Sequence, residues 1–218
     1  MMIIKFILSL SIICLLGCNK KESKEVYNEI IGRVILIDPG HGGNDNGASY
    51  DGVLEDEINL SIALELQKIL LENNAIALIT RNGDYDLSNM YDRNHKANDL
   101  KNRVNMINEN DVDLFISLHL NTYKNDNVSG AQVFYQKDND DSFTFASILQ
   151  DNINELYSKK RKVMKGDYYI LEKSEKVGVL IEMGFLSSSK DRVKLLNKNH
   201  QISISNTIYN SIKEYFLL

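Results

Sequence analysis

The sequence predicts a single α/β domain with a twisted, mostly parallel six-stranded sheet flanked by helices. From Gly32 onward, short β-rich apolar runs alternate with longer runs of helical period, the order that builds strand–helix–strand units. The short runs are continuous rather than alternating, which suits strands buried on both faces. The 218 residues, less an apolar N-terminal stretch, fit one core of ordinary size. With 43% hydrophobic and 25% charged residues the chain has a globular composition, and a formal net charge of -5 gives no reason to expect a nucleic-acid partner.

The N-terminal stretch, residues 1–18, carries Lys5 and then an apolar run from Phe6 to Leu16, short of the ~20 residues a membrane span needs. It reads as an export signal. Leu15-Leu16-Gly17-Cys18 resembles the lipobox of bacterial lipoproteins, which implies cleavage before Cys18 and a lipid anchor on it. Cys14 and Cys18 are the only cysteines, so the exported domain is expected to lack an internal disulfide. Residues 19–31 are polar and read as a tether, leaving 32–218 as the folded domain on the outer face of a cytoplasmic or forespore membrane.

Within that domain the expected strands are Arg33–Asp38, Ala75–Thr80, Asp113–Leu118, Ala131–Gln136, Asp167–Leu171 and Gly178–Glu182. The first helix spans Asp56–Glu72, with Ile58, Ile62, Leu66 and Ile69 at helical spacing and acidic residues in its first turn, where the helix dipole favours them. Further helices are expected over Asp92–Asn108, Ser142–Tyr157, Lys190–Leu196 and Ile202–Phe216. The irregular polar segment Asp84–His95 is placed at the mouth of a cleft.

Three of these strands run into residues able to bind metal or move a proton: the first into His41, the third into His119, the last into Glu182. Ligands of open α/β sheets bind outside the carboxyl ends of the strands, so such side chains can converge. The sole proline, Pro39, precedes Gly40-His41-Gly42-Gly43, a rigid turn followed by residues free to take positive φ. Two imidazoles and a carboxylate form a hydrolase zinc set with a position left for water. Glu55 can supply the carboxylate, although spacing alone lets Glu55, Asp56 or Glu57 point inward. Glu182, after an apolar run, is costly to bury without a cation or hydrogen bonds.

Four segments then carry a specific resemblance: Ile37-Asp38-Pro39-Gly40-His41-Gly42-Gly43, Leu54-Glu55-Asp56-Glu57-Ile58-Asn59-Leu60, Ser117-Leu118-His119-Leu120-Asn121 and Leu180-Ile181-Glu182-Met183-Gly184-Phe185-Leu186-Ser187. Together they resemble the motifs of zinc-dependent N-acetylmuramoyl-L-alanine amidases. The resemblance implies Zn2+ held by His41, Glu55 and His119, Glu182 as the catalytic carboxylate, and peptidoglycan as substrate. Leu120, Thr122 and Ser188 depart from the family pattern and are expected to affect substrate fit. Asp99-Leu100-Lys101-Asn102-Arg103-Val104, Gly130-Ala131-Gln132-Val133-Phe134-Tyr135 and Tyr168-Tyr169-Ile170-Leu171 resemble the CwlD type from spore-forming bacteria. That type removes stem peptides from spore cortex so that muramic-δ-lactam can form. The alternatives are a vegetative amidase for cell separation and a noncatalytic peptidoglycan-binding regulator. The short stretch from Asn121 to Gly130 leaves no room for an inhibitory helix, and recruitment is expected to fall to the lipid anchor or an unidentified activating or recruiting protein partner.

The remaining notable residues receive structural readings. His95 and His200 are assigned surface or structural roles, Arg103 is read as pairing with a buried carboxylate, and Lys159-Lys160-Arg161-Lys162 as a solvated turn.

Overall fold

The computed structural model describes residues 29–89 and 91–218. The signal, Cys18 and most of the tether lie outside the described residues. The strands are β1 (Val34–Pro39), β2 (Ser49–Tyr50), β3 (Val53–Leu54), β4 (Ile76–Ile79), β5 (Leu114–Asn121), β6 (Gln132–Tyr135), β7 (Met164–Lys165) and β8 (Gly178–Phe185). The helices are α1 (Glu55–Glu72), α2 (His95–Glu109), α3 (Asp140–Asn154), α4 (Tyr169–Lys173), α5 (Ser189–Leu195) and α6 (Lys198–Phe216). Six strands form the main sheet in the order β4-β1-β5-β8-β6-β7. All its neighbours are parallel except β6 and β8, so the expected mostly parallel sheet is present. Among the described residues no helix is long and apolar enough to cross a membrane.

The sheet separates two apolar layers. One joins Ile35, Ile37, Ile116 and Ile181 to Ile62 and Leu66 of α1, Phe145 and Leu149 of α3, and Ile204 and Ile208 of α6. The other packs Leu36, Phe115 and Leu180 against Val104 and Ile107 of α2 and Ile170 and Leu171 of α4. Alternate residues of one strand therefore serve opposite layers, as the strand period requires, which is why the strand sequences read as unbroken apolar runs. Asparagine and serine side chains cap α2, α3, α5 and α6: Asn94 accepts from Ala97 N, Asn139 from Ser142 N, Ser188 from Asp191 N and Asn197 from Asn199 N. Each satisfies a donor that the helix start leaves without a partner.

One strand expectation is corrected. Asp167–Leu171 is not a strand: the sixth strand is the short β7, and Tyr169–Lys173 forms α4. Adjacent Ile170 and Leu171 both bury in the α2 layer, which a strand with alternating faces does not permit. The Gln136 amide donates to Leu171 O and Ser174 O, taking up carbonyls that a sheet would otherwise use. Two boundary shifts bear on the site. His95, read as loop, is the first residue of α2, and β5 and β8 extend past His119 and Glu182. The hairpin β2–β3 escaped notice although its turn, Asp51-Gly52, has both residues at positive φ, a recognised hairpin dipeptide.

The connection from β1 runs to one edge through α1, whereas β5 leads on toward the other edge. Their carboxyl ends thus flank a crevice where the chain direction divides. Because the core lies away from this crevice, core and site are separable. Phe145→Ala, which empties a fully buried position, should lower stability by about 3–5 kcal/mol in urea unfolding while activity per folded molecule is unchanged.

Candidate metal centre and active site

The loop after β1 is held in an unfavourable backbone conformation. His41 has φ +63°, and Gly42 and Gly43 follow at +124° and +62°. For a residue with a Cβ, the left-handed region costs about 1–2 kcal/mol, so the surroundings must impose it. Two buried arginines do so. Arg103 of α2 donates to Pro39 O at 2.8 Å and His41 O at 2.7 Å, and pairs with Asp38 at 2.7 Å and Asp99 at 2.8 Å. Arg81, just past β4, donates to Pro39 O at 3.0 Å and to Gly40 O and Asp56 O at 2.9 Å each. Asp38 also accepts from Thr80 and Ser117, each at 2.7 Å. Burial works to raise the pKa of Asp38, but Arg103 and the two hydroxyls hold it below the usual carboxylate range. The predicted pairing of Arg103 with a buried carboxylate is thus present, with Asp38 as the partner.

His41, Glu55 and His119 converge on one point, their candidate ligand atoms lying within 4.8 Å of one another. Glu55 Oε1 lies 3.3 Å from His41 Nε2 and 3.0 Å from His119 Nδ1, and the two rings meet edge to face at 4.9 Å. Backbone donors orient the carboxylate: Leu120 N to Oε1 at 2.9 Å and Ala48 N to Oε2 at 2.7 Å. Of the three acidic residues, Glu55 is the one grouped with the two histidines; Asp56 is equally buried but lies outside that group, and Glu57 is exposed. Glycines make room for the cluster. A Cβ on Gly40 would stand 2.2 Å from the His119 ring, and one on Gly47 would stand 2.6 Å from both His41 and Glu55. Asp45 Oδ2 approaches His41 Nδ1 at 3.1 Å, the carboxylate support commonly found behind a ligating histidine. A two-histidine, one-carboxylate set with this spacing fits a divalent metal ion.

Glu182 stands beside this cluster because β5 and β8 are in register at His119 and Glu182. It is buried, and its Oε2 has no partner among the described residues, while Tyr168 Oη lies 3.4 Å from Oε1. Burial, helped by the negative charge of Glu55, pushes the Glu182 carboxyl up to about 7. Glu55 moves the opposite way: burial opposes ionisation, but hydrogen bonds and charge from His119 and His41 hold it far below the usual range. For His41, burial lowers the pKa, yet Glu55 and then Asp45 outweigh it and push it up to about 9. Two carboxylates with opposed shifts suit one to hold a cation and the other to exchange protons.

A cavity of about 150 Å³ reaches from the His41 and His119 rings down to Ser117 and Leu180, with Tyr168, Tyr169 and Lys96 among its walls. A second, more open groove is lined by Ala48, Tyr50, Thr122, Tyr123, Lys124 and Ser187.

The sequence profile of the N-acetylmuramoyl-L-alanine amidase family matches residues 35–214. The chain belongs to this family. The amidase is 36% identical over 192 residues to the germination-specific N-acetylmuramoyl-L-alanine amidase of Bacillus subtilis, an alignment covering 85% of this chain and 80% of that one. Among solved structures, the CwlD amidase from Clostridioides difficile, in complex with the GerS lipoprotein, superposes with a TM-score of 0.81 at 32% identity. It covers 84% of this chain and 98% of its own. An N-acetylmuramoyl-L-alanine amidase from Clostridium difficile 630 gives 0.76 at 27% identity, over 84% and 96% of the two chains.

The structure brings all four sequence candidates of the amidase together. Of the three departures from the family pattern, Thr122 lines the open groove. Leu120 is in the core, and Ser188 caps α5. His200 is half-buried against Tyr157 Oη at 3.2 Å, and His95 is exposed, bonded to Ser88 at 2.6 Å. The run at Lys159 is only partly a solvated turn, because Arg161 donates to Ser129 O and Gln132 and covers the Phe185 ring at 4.8 Å. Sequence reading missed Arg81 and Asp45 and gave Tyr168 no individual role. Asp45 sits four residues after His41 within the glycine loop, and that proximity was the available signal.

Two outcomes are expected. Arg103→Ala strands Asp38 in the interior and should cost about 3–5 kcal/mol in urea unfolding, with weakened metal retention as the loop relaxes. In the metal-free protein the raised pKa of His41, about 9, contributes stability that is complete below its unfolded value of 6.5 and is lost as pH rises through 9. The urea midpoint of metal-free protein should therefore fall from about pH 7 to about pH 9, and His41→Gln should flatten that slope.

Proposed function

We propose that this protein is a zinc-dependent amidase, exported and tethered by a lipid at Cys18, whose domain of residues 32–218 hydrolyses the bond between the muramic acid lactyl group and L-alanine in peptidoglycan. The observation that carries the reading is the meeting of His41, Glu55 and His119 beside a buried, half-partnered Glu182. Removal of stem peptides from spore cortex is the role we favour, in keeping with the germination-specific amidase of Bacillus subtilis to which the chain is similar. The Clostridioides difficile relative is in complex with a lipoprotein, and a protein partner on the outer membrane face is proposed here by analogy.

In this mechanism His41, Glu55 and His119 are the metal ligands. Zinc bound there supplies a Lewis acid that acidifies water and polarises the scissile carbonyl. Glu182 takes a proton from the attacking water and delivers it to the L-alanine nitrogen as the carbon–nitrogen bond breaks. Its burial serves this double use, because a carboxyl pushed up toward neutrality gains and gives up a proton with little bias. Asp45 fixes His41 with Nε2 toward Glu55. Arg81 and Arg103 keep His41 in place from behind the loop.

The test is to incubate zinc-loaded protein with polymeric peptidoglycan, vegetative and cortex-type, and follow by mass spectrometry the release of stem peptides with a free L-alanine amine. Glu182→Gln should retain zinc and lose about 10²–10⁴-fold in rate, whereas His41→Ala and His119→Ala should lose both metal and turnover. A Glu182→Gln protein with wild-type rate would sink the assignment. Preference for cortex-type material would support the spore role, and preference for vegetative material would count against it.

A further inference from the structure

We propose that Tyr168 is a positioning residue for hydrolysis: its hydroxyl donates to Glu182 Oε1 and fixes the carboxylate in its orientation beside the His41–Glu55–His119 cluster. This inference rests on the amidase reading above and assigns a role to a side chain not yet given one.

The geometry is one-sided. Glu182 Oε1 accepts from Tyr168 at 3.4 Å, while Oε2 is buried and has no partner among the described residues. A carboxylate that must both receive and return a proton needs a fixed orientation, and the Tyr168 hydroxyl supplies a donor that holds it. The 3.4 Å contact is long, as catalytic hydrogen bonds often are before substrate closes the site. Burial and the neighbouring charge of Glu182 push the Tyr168 hydroxyl well above its ordinary pKa, so it remains protonated and acts as a donor.

The surroundings of Tyr168 hold the hydroxyl on this line. Its ring meets Phe134 edge to face at 5.1 Å. Gly166 lies so close that a Cβ there would stand 2.9 Å from the Tyr168 ring and 3.0 Å from Phe134 Cβ. The Tyr168 carbonyl accepts from Leu171 N and Glu172 N, each at 2.9 Å, which ties it to the start of α4. That helix is itself anchored by buried Ile170 and Leu171. The turn at Gly166 and the short helix, rather than the strand expected there, are what bring this side chain to Glu182 of β8. Packing alone would need only the ring; the hydroxyl is aimed at the carboxylate.

Tyr168→Phe isolates the hydroxyl, since the ring and its contact with Phe134 remain. In steady-state assays of the zinc-loaded full chain, kcat should fall about 10–100-fold while KM stays within about twofold and zinc content is unchanged. In a Glu182→Gln background the same substitution should have no further effect, because it acts through the carboxylate. A Tyr168→Phe enzyme with wild-type kcat, a loss confined to KM, or an undiminished loss in the Glu182→Gln background would overturn the role and leave the amidase reading intact. An inactive zinc-loaded wild-type protein would overturn both.

Discussion

The site depends on a buried ion pair that touches no substrate. Asp38, at the end of β1, and Arg103, from α2, meet at 2.7 Å on the face of the sheet away from α1. The same guanidinium reaches on to Pro39 O and His41 O. Isolated, either charge would be expensive at this depth. Together with Asp99, Thr80 and Ser117 each is satisfied, and the spare donors of Arg103 hold the strained turn. Arg81 repeats the arrangement from the β4 side, binding Gly40 O and the carbonyl of Asp56 in the first turn of α1. The loop bearing His41 and the helix bearing Glu55 are thus fastened to one another through backbone carbonyls, and the His41–Glu55–His119 cluster inherits its geometry from that fastening.

A second constraint is electrostatic. Four titratable groups, His41, Glu55, His119 and Glu182, share a small volume, and their charges cannot all be independent. The histidines stabilise ionised Glu55, and ionised Glu55 in turn discourages ionisation of Glu182. A divalent cation held by the first three would compensate the buried negative charge and compete with the proton on His41. The carboxylate that remains outside the ligand set is then the one whose proton is exchangeable near neutral pH. Neighbouring strands in register separate these roles, because β5 and β8 place His119 and Glu182 side by side.

Much of this was legible in the chain. Continuous apolar runs marked the central strands because both faces of the sheet are covered, and the glycine loop with two histidines and two glutamates marked the site. Asp167–Leu171 was misread because a short apolar and aromatic run has no period long enough to distinguish strand from helix, and only packing against α2 decides it. Arg81 was invisible for a different reason. It follows a strand like any surface arginine, and nothing local reveals that its partners are carbonyls about forty residues away in the loop after β1. Tyr168 was seen as part of a motif, but its role depends on that same misread segment.

The central claim is that His41, Glu55 and His119 together hold a zinc ion while Glu182 stands apart from it. Anomalous diffraction at the zinc edge from crystals of the zinc-loaded protein tests this directly. The account predicts one strong peak per chain, about 2.0–2.2 Å from a nitrogen of each histidine and a carboxylate oxygen of Glu55, with Glu182 outside bonding distance. No peak at that position, or a zinc ion bonded to Glu182 in place of Glu55, would contradict it.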